Sequence, residues 1–136
     1  IDPIIQGKFD VVYGSRFIRR EYVPHCIRPF YLTHFIGNKM LNFLVNLLYD
    51  VRITDMETCY KMFKKEVLKD INLTAHRFEI EPEITAQILL QGYKIYEVPI
   101  SYMPRDYKEG KKISWKDGFI AIYTLFKYRL KKRKAK

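Results

Sequence analysis

Asp55 and Glu57 lie two residues apart, flanked by Thr54 and Thr58, in a segment that runs on to Cys59-Tyr60-Lys61. Carboxylates so paired suit a divalent cation, or a general base with the group that orients it. Taken alone, Asp-x-Glu in a loop is common by chance. Upstream, Arg16 follows Gly14-Ser15 at the end of a predicted strand. In open α/β sheets ligands bind beyond the carboxyl ends of strands, and an arginine there can grip a phosphate with two parallel hydrogen bonds. The plainer role is a surface ion pair. Glu79, Glu81 and Glu83 alternate. Glu81 falls near the start of a predicted helix, where the dipole favours a carboxylate; Glu83 reads as helix-end charge and solubility. Arg105, Lys108, Lys111 and Lys112 crowd around Gly110, a basic, flexible loop that suits phosphate or is simply solvated. His25, His34 and His76 lack metal-ligand spacing, so no zinc site is expected. Cys26 and Cys59 form no CxxC pair and read as ordinary buried thiols in a reducing compartment.

The elements that must position these groups alternate between strand and helix patterns. Phe9 to Gly14 reads as a short buried strand closed by a glycine turn. The stretch from Arg16 to Pro29 is charged and proline-punctuated, a long loop of the kind that is often functional. Thr33 to Tyr49 reads as a helix apolar nearly all round, hence buried. Asn38, Asn42 and Asn46 recur every four residues and make one polar stripe on it. Unpaired amides in a core are costly, so the stripe is expected to face a cavity or a loop. Val51 to Lys61 is a loop or short strand, and Lys64 to Leu68 a short helix start. Pro82 suits a first helical turn, which predicts a helix over Glu83 to Leu90 stopped by Gly92. Lys94 to Tyr102 alternates as a strand does, and Pro104 to Lys112 is a loop. Ser114 with Asp117 resembles a capping box before a last helix whose apolar stripe is Trp115, Phe119, Ile122, Tyr123, Phe126 and Leu130.

A chain of 136 residues with 48% apolar residues supports one domain with a real core. Two or three strands are too few to stand alone under these helices, so the expectation is the back portion of a larger α/β fold. Ile1-Asp2-Pro3 lacks a starting Met and a signal peptide, which reads as a trimmed or partial protein. No run reaches the ~20 apolar residues of a membrane-spanning helix. The net charge of +10 is concentrated at the end: Lys127, Arg129, Lys131, Lys132, Arg133, Lys134 and Lys136 meet no acid among the last ten residues. Basic tails favour anionic partners such as phospholipid, or are solvated, frayed termini.

The order of these features carries more than any one of them. Asp-Val-Val-Tyr-Gly-Ser-Arg-Phe is followed by a helix with Gly37-Asn38, then by Asp55 leading to Tyr60-Lys61 and Lys65-Glu66-Val67-Leu68. Phe78 with Glu81 comes next, then Gly-Tyr-Lys-Ile-Tyr-Glu-Val-Pro-Ile at 92–100, then Arg105. The series resembles the C-terminal half of family 2 glycosyltransferases that act on polyprenyl phosphates, the group that includes dolichyl-phosphate mannose synthase. The resemblance covers nearly the whole chain, and Glu97-Val98-Pro99-Ile100 with Arg105 is its most specific part.

That resemblance implies the C-terminal portion of a GT-A fold, Rossmann-like with a mixed sheet, over residues 1–112. An amphipathic helix with a basic tail would follow over 113–136. The implied reaction moves a hexose from a nucleotide sugar, of the GDP-mannose or UDP-glucose type, to a polyprenyl phosphate by one inverting displacement. Asp55 would be the acidic residue at the active centre. Arg16, Arg28 and Arg105 would bind phosphate, with Glu81 and Lys112 on the substrate side. A divalent cation, Mg or Mn, is expected for the intact enzyme on an Asp-x-Asp that would precede Ile1. The enzyme would sit peripherally on an anionic membrane at its cytoplasmic face, and this part alone would be inactive. The chain departs from the pattern where the group commonly has Thr-Gly-Ser-Phe-Arg or Ser-Gly-Phe-Arg: it reads Glu57-Thr58-Cys59-Tyr60-Lys61. The competing expectation is a non-catalytic basic module for anionic membrane or nucleic acid. Nucleic acid is disfavoured, because the charge is terminal and no RNP, KH or helix-turn-helix signature is present.

Overall fold

The computed structural model describes residues 4, 6–18, 29–69, 71–100 and 115–134, with the side chains of 29–33 and 132–134 outside that description. Strand β1 (Val11–Ser15) is central, and all five of its residues are buried. Its apolar start, Val11-Val12-Tyr13, suits a strand covered on both faces. β2 (Lys61–Phe63) pairs with it antiparallel, with Tyr13 opposite Lys61. β3 (Ile95–Pro99) pairs parallel on the other side, with Tyr13 opposite Glu97 and Ser15 opposite Pro99. The sheet order is therefore β2-β1-β3. Pro99 has no N–H to give the ladder and stands at the end of an edge strand, where its loss costs least.

The helices are α1 (Pro29–Tyr49), the short α2 (Lys65–Leu68), α3 (Ile80–Leu90) and α4 (Trp115–Lys134). Leu41 and Val45 of α1, Ile53 and Met56 of the following loop, Ala86 of α3, and Ala121 and Leu125 of α4 form one core. Val11, Tyr13, Val67 and Ile88 form a second one under the sheet. Asp50 ends α1 in the left-handed region at φ 54°, where a short polar side chain is tolerated. Gly14 is fixed by crowding: a Cβ there would stand 2.6 Å from Ile100 Cγ2 and 2.9 Å from Tyr60 Cβ.

Three expectations need correction. α3 begins at Ile80, so Pro82 lies within the first turn, where helical N–H groups have no intrahelical partner. Glu83 is not a solubilising charge. It is buried, and it accepts hydrogen bonds from Thr74 N and Oγ1 (3.0 and 2.7 Å), Ala75 N (2.7 Å) and Tyr128 Oη of α4. Cys59 is exposed; Cys26 lies outside the described residues. The last helix shows two faces. Ala121, Thr124 and Leu125 face the core, whereas Trp115, Phe119, Tyr123 and Leu130 are exposed. Size at the contact decides this: α4 packs closely on α3 and α1 through small and slender residues, and the aromatic stripe faces away.

Candidate functional site

The turn at residues 53–56, which carries Asp55, is tied to three elements. From α1, Asn46 donates to Ile53 O and accepts from Ile53 N, both at 2.9 Å. One turn earlier Asn42 donates to Thr54 O and accepts from Met56 N at 2.8 Å. From β3, Glu97 accepts from Thr54 N (2.9 Å), Thr54 Oγ1 (3.0 Å) and Asp55 N (3.0 Å). From β1, Ser15 Oγ meets Thr54 Oγ1 at 2.6 Å. The asparagine stripe thus faces a loop, and the Glu-Val-Pro segment supplies the carboxylate that orders the same loop. Burial pushes the Glu97 carboxyl upward, against the hydrogen bonds from Thr54 and Asp55 that favour its ionised form.

Asp55 is fully buried, and Arg16 takes both of its oxygens. Oδ2 accepts from Arg16 Nε (2.7 Å) and Arg16 N (3.0 Å), while Oδ1 accepts from Nη2 (2.6 Å). This fork-to-carboxylate geometry fixes the guanidinium plane as well as neutralising the charge. Arg16 is partly exposed, with side-chain accessibility of 20%, and it stands at the carboxyl end of the central strand.

A second charged cluster adjoins the first. Lys61 Nζ donates to Met56 O (2.8 Å), Thr58 O (2.5 Å) and Glu81 Oε2, and it lies 4.8 Å from the centre of the Tyr13 ring. Burial pulls its ammonium below the ordinary lysine range, against the pull of Glu81 and Glu57. Glu57 has one oxygen, Oε1, that is buried and makes no hydrogen bond among the described residues. Burial raises the Glu57 carboxyl to about 7, partly opposed by Lys61.

Of the residues singled out from sequence, the structure brings Arg16 and Asp55 into direct contact and places Glu81 on Lys61. Arg28, Arg105 and Lys112 lie outside the described residues. Sequence reading missed Lys61, Glu97, Asn42 and Asn46 as parts of the site. The four-residue asparagine spacing was the signal for two of them; Glu97 and Lys61 stood in the motif series of the resemblance, but no local pattern gave their side chains a role. Among the described residues no group of three His, Cys, Asp or Glu is arranged to hold a metal, and both Asp55 oxygens are spent on Arg16. No helix of the described residues is long and apolar enough to cross a membrane.

Comparison with known proteins agrees with this picture. The chain is 28% identical over 130 residues to glycosyltransferase AglJ of Haloferax volcanii, covering 93% of this chain and 40% of that protein. It is 29% identical over 134 residues to the UDP-N-acetylglucosamine–dolichyl-phosphate N-acetylglucosaminyltransferase of Methanococcus voltae, covering 97% of this chain and 52% of that one. Polyprenol monophosphomannose synthase of Mycolicibacterium smegmatis is 29% identical over 112 residues, 78% of this chain and 39% of its own length. The chain thus spans about half or less of these relatives. No family profile matches it, and no solved structure does. The resemblance read from the sequence is borne out: nearly the whole chain is similar to sugar transferases that include dolichyl- and polyprenyl-phosphate enzymes, and its mixed α/β architecture is that of part of such a domain.

Proposed function

We propose that this chain is the acceptor-side, phosphate-binding part of a glycosyltransferase that moves a hexose from a nucleotide sugar to a polyprenyl phosphate. The observation that carries the reading is Arg16, aligned by a buried carboxylate at the carboxyl end of the central strand, where ligands of open α/β sheets bind. The names of the relatives support the lipid phosphate as acceptor. A lipid phosphate is anionic near neutral pH and attacks the sugar without needing a strong base. Catalysis of a single inverting displacement then rests on holding the phosphates and offsetting their charge. Arg16 does this from the described part, and Arg28, Arg105 and Lys112 are proposed as further phosphate ligands. Asp55 serves through Arg16 rather than as a base. The divalent cation belongs, in this reading, to the portion of the relatives that the chain does not match, and no step here runs through it.

A membrane surface is the proposed setting, at the cytoplasmic face. On α1, Ile36, Met40, Phe43 and Leu47 are exposed on the side opposite Leu41 and Val45. On α4, Trp115, Phe119, Tyr123 and Leu130 are exposed opposite Ala121 and Leu125. Exposed apolar faces on both helices, with the basic residues that end α4, match an interface of acyl chains and anionic headgroups.

The test is transfer of labelled hexose by the full-length protein carrying this chain. It would be offered GDP-mannose or UDP-hexoses with polyprenyl phosphate in vesicles. Label in an organic-soluble, mild-acid-labile product is expected. Label that stays in the aqueous phase with every donor would remove the reading.

A further inference from the structure

Glu57 is the one member of the charged cluster whose proton changes the balance of the rest. An ammonium has three hydrogens to donate. Those of Lys61 go to Met56 O, Thr58 O and Glu81 Oε2, so none is left for Glu57. Its Oε1 is buried and makes no hydrogen bond among the described residues. The charged groups that act on it come from every side: Lys61 on β2, Glu81 on α3, Arg16 after β1, and Asp55 on its own turn. Arg16 offsets Asp55 and Lys61 offsets Glu81. These five groups are neutral together when Glu57 carries a proton, and they hold one uncompensated negative charge when it does not.

We propose that Glu57 is a positioning residue: its protonated form leaves Lys61 on Glu81 and on the turn carbonyls, and its ionised form draws Lys61 away from them. An ionised carboxylate whose buried oxygen, Oε1, has no donor is costly. Of the two cations that act on it, Lys61 pulls harder and Arg16 is already spent on Asp55, so a new donor would have to be one of the Lys61 hydrogens. Taking one of them breaks the bond to Met56 O, Thr58 O or Glu81. Met56 and Thr58 lie in the same stretch of backbone as Asp55, so the loss loosens the segment that aligns Arg16. The burial that raises the Glu57 carboxyl to about 7 puts this change within the physiological range. The inference rests on the phosphate-binding reading of Arg16 and adds a pH response to that site.

The sign follows from linkage. A carboxyl raised in the folded state adds stability that is complete below its ordinary value of 4.5 and is lost as pH rises through about 7. The experiment compares the full-length protein with Glu57→Gln, which keeps the neutral form's shape. Sugar transfer by wild type is expected to fall roughly tenfold between pH 6 and pH 8 relative to the variant, and a constant wild-type-to-variant ratio would overturn the proposal. Urea unfolding of the same two proteins reads the proton without reading transfer. Wild type losing stability against Glu57→Gln over that range supports the role even where no transfer is detected. Parallel unfolding curves overturn it whatever the activity.

Discussion

Asp55 and Arg16, 39 residues apart in sequence, form a two-pronged ion pair in which one partner is fully buried and the other partly exposed. The arrangement fixes roles. A carboxylate with both oxygens spent on a guanidinium is poorly placed to take a proton from a substrate. A guanidinium held in one plane is well placed to meet a phosphate.

The latch between α3 and α4 gives a pH prediction. Burial works against the Glu83 charge, but hydrogen bonds from Tyr128, Thr74 and Ala75 outweigh it and hold the carboxyl below the usual range. A lowered carboxyl adds stability above its unfolded value and loses it as pH falls through the folded one. Wild type should therefore lose stability on acidification faster than Glu83→Gln. Tyr128→Phe should cost about 1–2 kcal/mol at neutral pH. Urea unfolding at several pH values measures both, and identical acid sensitivity of wild type and Glu83→Gln would count against the latch.

Gly14→Ala should destabilise by roughly 1–3 kcal/mol. The added methyl meets Tyr60 Cβ, which lies next to the backbone and cannot swing aside, as well as Ile100 Cγ2. Thermal unfolding checks this, and an unchanged midpoint would show that the β1–β3 junction is looser than described.

Asn46→Ala removes both hydrogen bonds to Ile53. A loss of about 1–3 kcal/mol is expected, together with weaker binding of phosphate substrates, because the turn behind Arg16 is freed. Loss of stability with an unchanged KM would separate the asparagine stripe from the site.

Much of this architecture was legible beforehand, and the failures have physical causes. The buried strand at Val11, the asparagine stripe and the Glu-Val-Pro strand all announce themselves through local spacing. Asp55 and Arg16 were each visible as candidates, but their pairing depends on the return of the chain through α1 to pair β2 antiparallel with β1, which no local pattern encodes. Glu83 was misread because a helix-end glutamate looks the same in sequence whether it faces water or accepts from Tyr128, 45 residues on. The core face of α4, Ala121 and Leu125, was not singled out for a related reason. A helix with aromatic residues on one side and small apolar residues on the other offers two faces, and close packing against neighbouring helices selects the smaller.

Exposed apolar residues on α1 and α4 predict lipid binding by the full-length protein. Phe43→Glu with Phe119→Glu should reduce its recovery on anionic vesicles, as should deletion of Lys131 to Lys136, with each lost cation weakening binding by about 1 kcal/mol. Flotation of variants and wild type in equal amounts would send these faces to another partner.

The most direct test of the central claim is a double-mutant cycle on Arg16 and Asp55 in the full-length protein. KM for nucleotide sugar and for polyprenyl phosphate would be measured in wild type, Arg16→Ala, Asp55→Asn and the double variant. If Asp55 acts through Arg16, the double variant is no worse than Arg16→Ala, so the two losses do not add. Losses that add, with the Asp55→Asn defect confined to kcat, would contradict the account and return Asp55 to an independent catalytic role.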